Sequence, residues 1–93
     1  MQTATKFPLG RLAATPGALE AMEASGQEPS IFIARHLAGD WGEVNEEDQR
    51  LNDEALIHGD RILSAYRTLK GVKLWCITEA DRSLTTFLLP SEY

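Results

Sequence analysis

The chain is poor in cysteine, in long apolar runs and in basic residues, and each shortage excludes a class of protein. Cys76 is the only cysteine among 93 residues, so neither an internal disulfide nor a zinc site built from cysteines can form within one chain. No apolar run approaches the roughly 20 residues that span a bilayer. The first residues also lack the apolar core of a signal peptide. A lone thiol suits a reducing compartment, so we expect a cytoplasmic protein without a metal, a cofactor or a membrane partner.

Acidic residues outnumber basic ones, 14 to nine, which gives a formal net charge of −5. This balance argues against a general binder of nucleic acid, which would be expected to carry positive charge. Seven of the acidic residues and a single arginine fall within residues 40–54, so the rest of the chain is close to neutral. We interpret this run as the solvated face of a helix, with acids near its N-terminus complementing the helix dipole.

Capping residues and glycines divide the first part of the chain into three short helices. Each begins at an N-cap residue or a proline and ends near a glycine, a pairing typical of helix boundaries. The predicted helices lie between Thr15 and Gly26, between Pro29 and Gly39, and between Asn45 and Gly59.

Beyond Gly59 the apolar residues alternate, which predicts strands over residues 61–68, 72–79 and 83–89. The short loops between them indicate antiparallel hairpins, and residues 10–14 are a candidate fourth strand. We therefore predict one α+β domain spanning residues 1–93, in which three N-terminal helices pack on a small antiparallel C-terminal meander. The middle strand is apolar on both faces, so its second face, or the last strand as an exposed edge, would allow a homo-oligomer.

Four stretches of the sequence carry a family resemblance. They are RHLAGDWG at 35–42, LSAYRT at 63–68, LWCITEADRSLTT at 74–86 and LPSEY at 89–93. Together they resemble a family of small bacterial plasmid-related proteins of uncharacterised activity, carried on plasmids and other mobile elements. The resemblance covers nearly the whole chain and implies a protein that serves a mobile element. It implies no activity and no catalytic residues.

The most distinctive polar features of the sequence predict a non-enzymatic protein-interaction module with an unidentified protein partner. A turn with two glycines around a charged residue and a tryptophan precedes the acidic start of the third helix, and a charged hairpin joins the last two strands. A tryptophan in a surface loop offers a large contact area for a partner. The predicted interaction residues are Asp40, Trp41, Glu43, Glu46, Glu47, Asp81 and Arg82.

Two alternatives stay open. A small ribonuclease-like enzyme of the toxin type needs a general base, a general acid and a cation for the phosphate. The residues that could supply these roles are His36, Tyr66, Glu79 and Arg82. Against this alternative, a histidine on an apolar helix face is more often a core residue, and the hairpin charges can pair locally. The second alternative is an acidic mimic of DNA that inhibits a host defence, although the acids are concentrated in one segment.

Overall fold

A computed structural model describes residues 5–93, in which three helices and four strands form an α+β fold. The elements in chain order are β1 (Arg11–Ala14), α1 (Pro16–Ser25), α2 (Pro29–Leu37), α3 (Glu46–His58), β2 (Ile62–Arg67), β3 (Lys73–Thr78), β4 (Leu84–Leu88) and a terminal 3₁₀ turn (Pro90–Glu92).

The helix boundaries follow from the local capping chemistry that the sequence predicts. The side chain of Thr15 accepts a hydrogen bond from the backbone N–H of Ala18, and α1 ends at Gly26 in the left-handed conformation. The side chain of Asn45 accepts the N–H of Asp48, and α3 likewise ends at a left-handed glycine, Gly59. These contacts satisfy backbone groups that the first and last helical turns would otherwise leave unpaired.

The sheet is mixed, with the strand order β1-β4-β3-β2, and this corrects the predicted antiparallel meander. The pairs β2–β3 and β3–β4 are antiparallel as expected, but β1 is a full member of the sheet and runs parallel to β4. A parallel pair needs a long crossover, and here all three helices lie between the two strands. The helices are therefore inserted after the first strand and do not form a separate N-terminal block. The sequence predicts the last strand, β4, at an exposed edge, but it lies between β1 and β3, and β1 is the edge strand on that side.

The opposite edge of the sheet, along β2, is covered by α3 and by the loop before it. The Asn52 side chain donates to the carbonyl oxygen of Leu63 (2.7 Å) and accepts its N–H (3.0 Å). Two residues further on, the N–H of Ala65 donates to the Trp41 carbonyl oxygen, and its carbonyl oxygen accepts the N–H of Glu43. An edge whose backbone groups are already bonded cannot pair with a strand of another chain.

The helices pack on one face of the sheet, which we call the inner face. Tyr66, Leu74, Cys76 and Phe87 point from β2, β3 and β4 towards α1 and α2, where Phe32 contacts them. A second buried cluster contains Phe7, Trp41, Ala55 and Ile62 and joins α3 to the segment that precedes β1. The other face, the outer face, carries no helix among the described residues.

Gly42 is the backbone position with the least room for a side chain, since it forms a parallel bridge to Ala65. Its φ is +74°, and a Cβ there would overlap the Ala65 carbonyl oxygen and the Tyr66 ring. Gly71 has a similar φ of +83° with nothing near its Cβ position. We expect Gly71→Ala to lower the free energy of unfolding by about 1–2 kcal/mol, the cost of a left-handed alanine.

Gly42→Ala should lower the free energy of unfolding by about 1–3 kcal/mol more than Gly71→Ala does, because its Cβ also overpacks against Ala65 and Tyr66. Urea unfolding of both variants measures the difference. Equal losses would show that the loop carrying Gly42 separates from β2 without resistance.

Candidate functional site

His36 lies at the centre of a buried chain of polar side chains. None of its surface is exposed, and Ser64, Thr78 and Thr85 are equally buried. Its Nδ1 lies 2.5 Å from the Ser64 hydroxyl and its Nε2 lies 2.9 Å from the Thr78 hydroxyl. Thr78 is bonded to Thr85 (2.7 Å), which donates to the carbonyl oxygen of Leu9 (2.8 Å).

The directions of three hydrogen bonds in this chain follow from its last member. A carbonyl oxygen can only accept, so Thr85 donates to Leu9 and must itself accept from Thr78. The Thr78 oxygen then accepts the Nε2–H of His36. The Ser64 hydroxyl can donate to a bare Nδ1 or accept from a protonated one, so this last bond fits either charge state of the ring. The chain of hydrogen bonds therefore fixes a proton on Nε2 of His36.

Burial lowers the pKa of His36 to about 4, so the ring is neutral at pH 7 and its bare Nδ1 accepts the Ser64 hydroxyl proton. A general base works best when its pKa lies near the operating pH, so this histidine is a poor proton acceptor at neutral pH. The Ser64–His36 contact has the length of a nucleophile–base pair, yet both side chains lie in the interior. The Ser64–His36 hydrogen bond therefore serves to hold α2 against β2 inside the core.

We expect the burial of neutral His36 to make stability depend on pH. The unfolded chain binds a proton near pH 6.5 and the folded chain only near pH 4, so the unfolding free energy is fully present above pH 6.5 and falls as the pH is lowered towards 4. The loss between pH 7 and pH 4.5 should be about 2–3 kcal/mol from this group. Urea unfolding at several pH values measures it.

His36→Gln should be less stable at neutral pH but should lose most of this dependence on pH. His58→Gln, at the exposed C-terminus of α3, is the matched control and should retain it. An unchanged slope in His36→Gln would contradict the assignment.

The other residues of the catalytic alternative are held in structural hydrogen bonds. The Tyr66 hydroxyl donates to the Asp40 carbonyl oxygen (2.6 Å), and burial raises its pKa. Arg82 adopts a φ of +61° and donates to the carbonyl oxygens of Ala55 and Asp60 at the C-terminal end of α3. It also donates to the carbonyl oxygen of Glu79 within the hairpin.

Two residues of the catalytic alternative, His36 and Arg82, both lie beside the Phe7 ring. Phe7 contacts the His36 ring edge-on (centroids 5.1 Å apart), and the Arg82 guanidinium lies 5.7 Å from the Phe7 centroid. The carboxylate of Glu79 faces solvent beside Arg61. Tyr66 belongs to the other core cluster, under α2. His36, Arg82 and Glu79 therefore lie at one end of the sheet, but the imidazole and the guanidinium are occupied by structural hydrogen bonds and the carboxylate points to solvent.

The predicted interaction residues of the glycine-flanked turn also have structural partners. Trp41 is only 5% exposed, and its indole N–H donates to Asp53 of α3 (3.1 Å). The Asp40 carboxylate accepts from Arg35 (2.7 Å) and from the Gly42 N–H, and the bond from Arg35 lowers its pKa. The aromatic member of the predicted surface therefore packs in the core.

The remaining predicted interaction residues lie at the surface in local contacts. Glu43 pairs with Arg67 (2.9 Å) and Glu47 with Arg50 (3.5 Å), while Glu46 is exposed in the first turn of α3. The Asp81 carboxylate accepts the N–H and the hydroxyl of Ser83, which shapes the hairpin turn. These contacts are local, and the interaction surface built on these residues stays a prediction.

A cavity of about 240 Å³ on the outer face is the feature that sequence reasoning missed. Trp75 and Tyr93 meet edge to face across it, with centroids 5.6 Å apart. Arg61 donates to the Tyr93 hydroxyl (3.0 Å), and its guanidinium lies 5.7 Å from that ring. The lining residues are Arg61, Ile62, Leu63, Trp75, Ile77 and Tyr93.

Comparisons with known proteins add no relative to this picture. No protein-family model, curated protein or solved structure matches the chain. The resemblance to plasmid-related proteins therefore stays a prediction. Within residues 5–93, no helix is long and apolar enough to cross a membrane, and no group of three or more His, Cys, Asp or Glu side chains is placed to hold a metal ion.

The signal that could have located the cavity is the apolar character of both faces of β3. Leu74 and Cys76 fill the inner face, which leaves Trp75 and Ile77 on the outer face with no helix above them. A strand with large apolar residues on both faces needs a cover on each side. Here the C-terminal Tyr93 supplies part of that cover and is itself 70% exposed.

Proposed function

We propose that the chain is a non-enzymatic protein-interaction module and that its contact surface is the outer face of the sheet around the Trp75–Tyr93 cavity. The observation that carries the proposal is the cavity itself, which is lined by aliphatic and aromatic side chains and by Arg61. Its aromatic members, Trp75 and Tyr93, are only partly covered by the chain, whereas Ile62 and Ile77 are buried. Binding hot spots are typically pockets of this kind, in which one aromatic anchor is surrounded by contacts that exclude water.

The side chains nearest to a catalytic arrangement support a non-enzymatic role. His36, Tyr66 and Arg82 are committed to hydrogen bonds that hold α2, α3 and the preceding loop on the sheet. A catalytic group must be able to reach a substrate, and His36 has no exposed surface. The cavity residues, in contrast, carry few bonds that binding would have to break.

The cellular setting belongs to the same proposal. The resemblance to plasmid-related proteins suggests a protein that acts in the cytoplasm on behalf of a mobile element. A module of this size can serve such an element by joining two proteins, since a small rigid sheet presents its contact side chains with little entropy left to lose.

Selection from a random peptide library displayed on phage tests the proposal and does not require an identified partner. Peptides enriched on the wild-type protein should bind Trp75→Ala about tenfold or more weakly, because the anchor pocket is lost. Leu69→Ala is the matched control, since Leu69 is 82% exposed in the β2–β3 turn and does not line the cavity. That variant should bind the peptides as the wild type does.

Circular dichroism and thermal unfolding establish that both variants are folded. The proposal fails if no peptide is enriched, or if the enriched peptides bind Trp75→Ala and the wild type with equal affinity.

A further inference from the structure

The strands of the protein carry basic charges only, and they carry them on the outer face of the sheet. None of the 14 acidic residues lies in a strand. The charged residues of the strands are Arg11, Arg67 and Lys73, all basic. The chain as a whole is acidic, so its sheet differs in sign from its helices and loops.

Register places these three basic residues on the same face as the cavity. Lys73 and Trp75 are two residues apart in β3, so their side chains point to the same side. Arg67 pairs with Lys73 across β2–β3. Arg11 pairs with Leu84 of β4. Two residues after Leu84, Thr86 pairs with Ile77 on the outer face, so Leu84 and Arg11 lie on that face as well. Paired residues share a face, so Arg11, Arg67 and Lys73 all lie on the outer face. Glu43 already neutralises Arg67 there, at 2.9 Å.

Two of the basic groups near the cavity can accept a new carboxylate partner. Lys73 lies about 7 Å along the strand from Trp75. Within residues 5–93 it has no ion-pair partner. Arg61 lies at the cavity itself, and its contact with Glu79 is long (3.7 Å) and exposed. Exposed ion pairs contribute about 0–1 kcal/mol, so exchanging Glu79 for another carboxylate costs little.

We infer that the outer face binds an acidic protein segment, with a large apolar or aromatic side chain of that segment in the Trp75–Tyr93 cavity and its carboxylates at Arg61 and Lys73. This inference rests on the proposed function and names the chemistry of the partner. The charge of the face is the argument for an acidic segment, since complementary potentials select partners and speed their encounter.

A nucleic acid would meet the same positive charge but would fit the cavity less well. The Arg61 guanidinium and the Tyr93 hydroxyl are already bonded to each other, and the aliphatic lining residues offer no donor or acceptor to the polar edge of a base. The two aromatic rings are also edge to face, whereas stacked bases need an open ring face. An apolar side chain has neither requirement.

Fluorescence anisotropy with labelled synthetic peptides tests the inference. The probe has one central phenylalanine flanked by aspartates, and the comparison peptides replace the phenylalanine by alanine or the aspartates by lysines. We expect the acidic phenylalanine peptide to bind, and both comparison peptides to bind about tenfold or more weakly. Added salt should weaken the binding of the acidic peptide, because the contacts to Arg61 and Lys73 are exposed.

Lys73→Glu should weaken the acidic peptide about tenfold or more and should improve binding of the lysine peptide. The matched control is Arg50→Glu, which makes the same change in net charge on the exposed side of α3 and should leave the affinity unchanged. Neither change touches the core, so both variants should fold.

The remaining outcomes distinguish a failure of the acidic-segment inference from a failure of the interaction module itself. If peptides selected in the library experiment bind at Trp75 but are neutral or basic, the inference is wrong and the interaction module stands. If no peptide of any composition binds, both are wrong. Tighter binding of a labelled single-stranded oligonucleotide overturns the inference, as does sedimentation of the protein alone as a dimer that Trp75→Ala dissociates, since a second copy would then occupy the face.

Discussion

The hydrogen-bonded chain through His36 is the constraint that joins the separate parts of the fold. It runs from the segment before β1, through β4 and β3, to α2 and then to β2. Each link lies in the interior, where an unpaired hydroxyl or ring nitrogen would cost about 1–3 kcal/mol. Within residues 5–93, no buried side-chain nitrogen or oxygen lacks a partner. All of these hydrogen bonds can form together only if the strands and α2 meet in this one arrangement.

This constraint also explains why the most reactive side chains are not free. The imidazole of His36, the hydroxyls of Ser64 and Thr78 and the guanidinium of Arg82 are the groups from which a catalytic site would be built. In this fold the imidazole and the hydroxyls join α2 to the strands, and the guanidinium of Arg82 donates to a backbone carbonyl oxygen of α3. Polar groups that specify a core cannot take part in chemistry unless the core opens.

The consequence is a molecule with two unlike sides. The acidic residues all lie outside the strands, while the charged strand residues lie on the outer face and are basic. Two of the acids, Glu43 and Glu79, pair with arginines of that face. The edge of β2 is closed by Asn52 and by the loop at Gly42, so strand addition there is blocked. The other edge, β1, is not closed in this way, so the proposed recognition by side chains of the outer face is a choice that rests on the cavity and its charge.

Local signals in the sequence were sufficient for the helices and for three of the strands. Thr15, Asn45 and the glycines after α1 and α3 bond to atoms only a few residues away, so their effect is readable without the fold. The alternating segments 61–68, 72–79 and 83–89 each contain the observed strand with one residue to spare at either end. The parallel pairing of β1 with β4 had no such signal, because its partners are separated by about 70 positions along the chain.

The candidate site could be predicted only in part, for the same reason. The sequence indicates that β3 is apolar on both faces, but the predicted interaction residues include the turn tryptophan, Trp41, and not Trp75. Only the tertiary structure buries Trp41 against α3 and leaves Trp75 beside an open cavity. Burial depends on which elements cross in space, and that is a property of long-range packing. The sequence by itself determined the elements, their caps and the strongly acidic segment. Tertiary structure decided the mixed sheet, the commitment of His36 and Arg82 to the core, and the basic face that stays exposed.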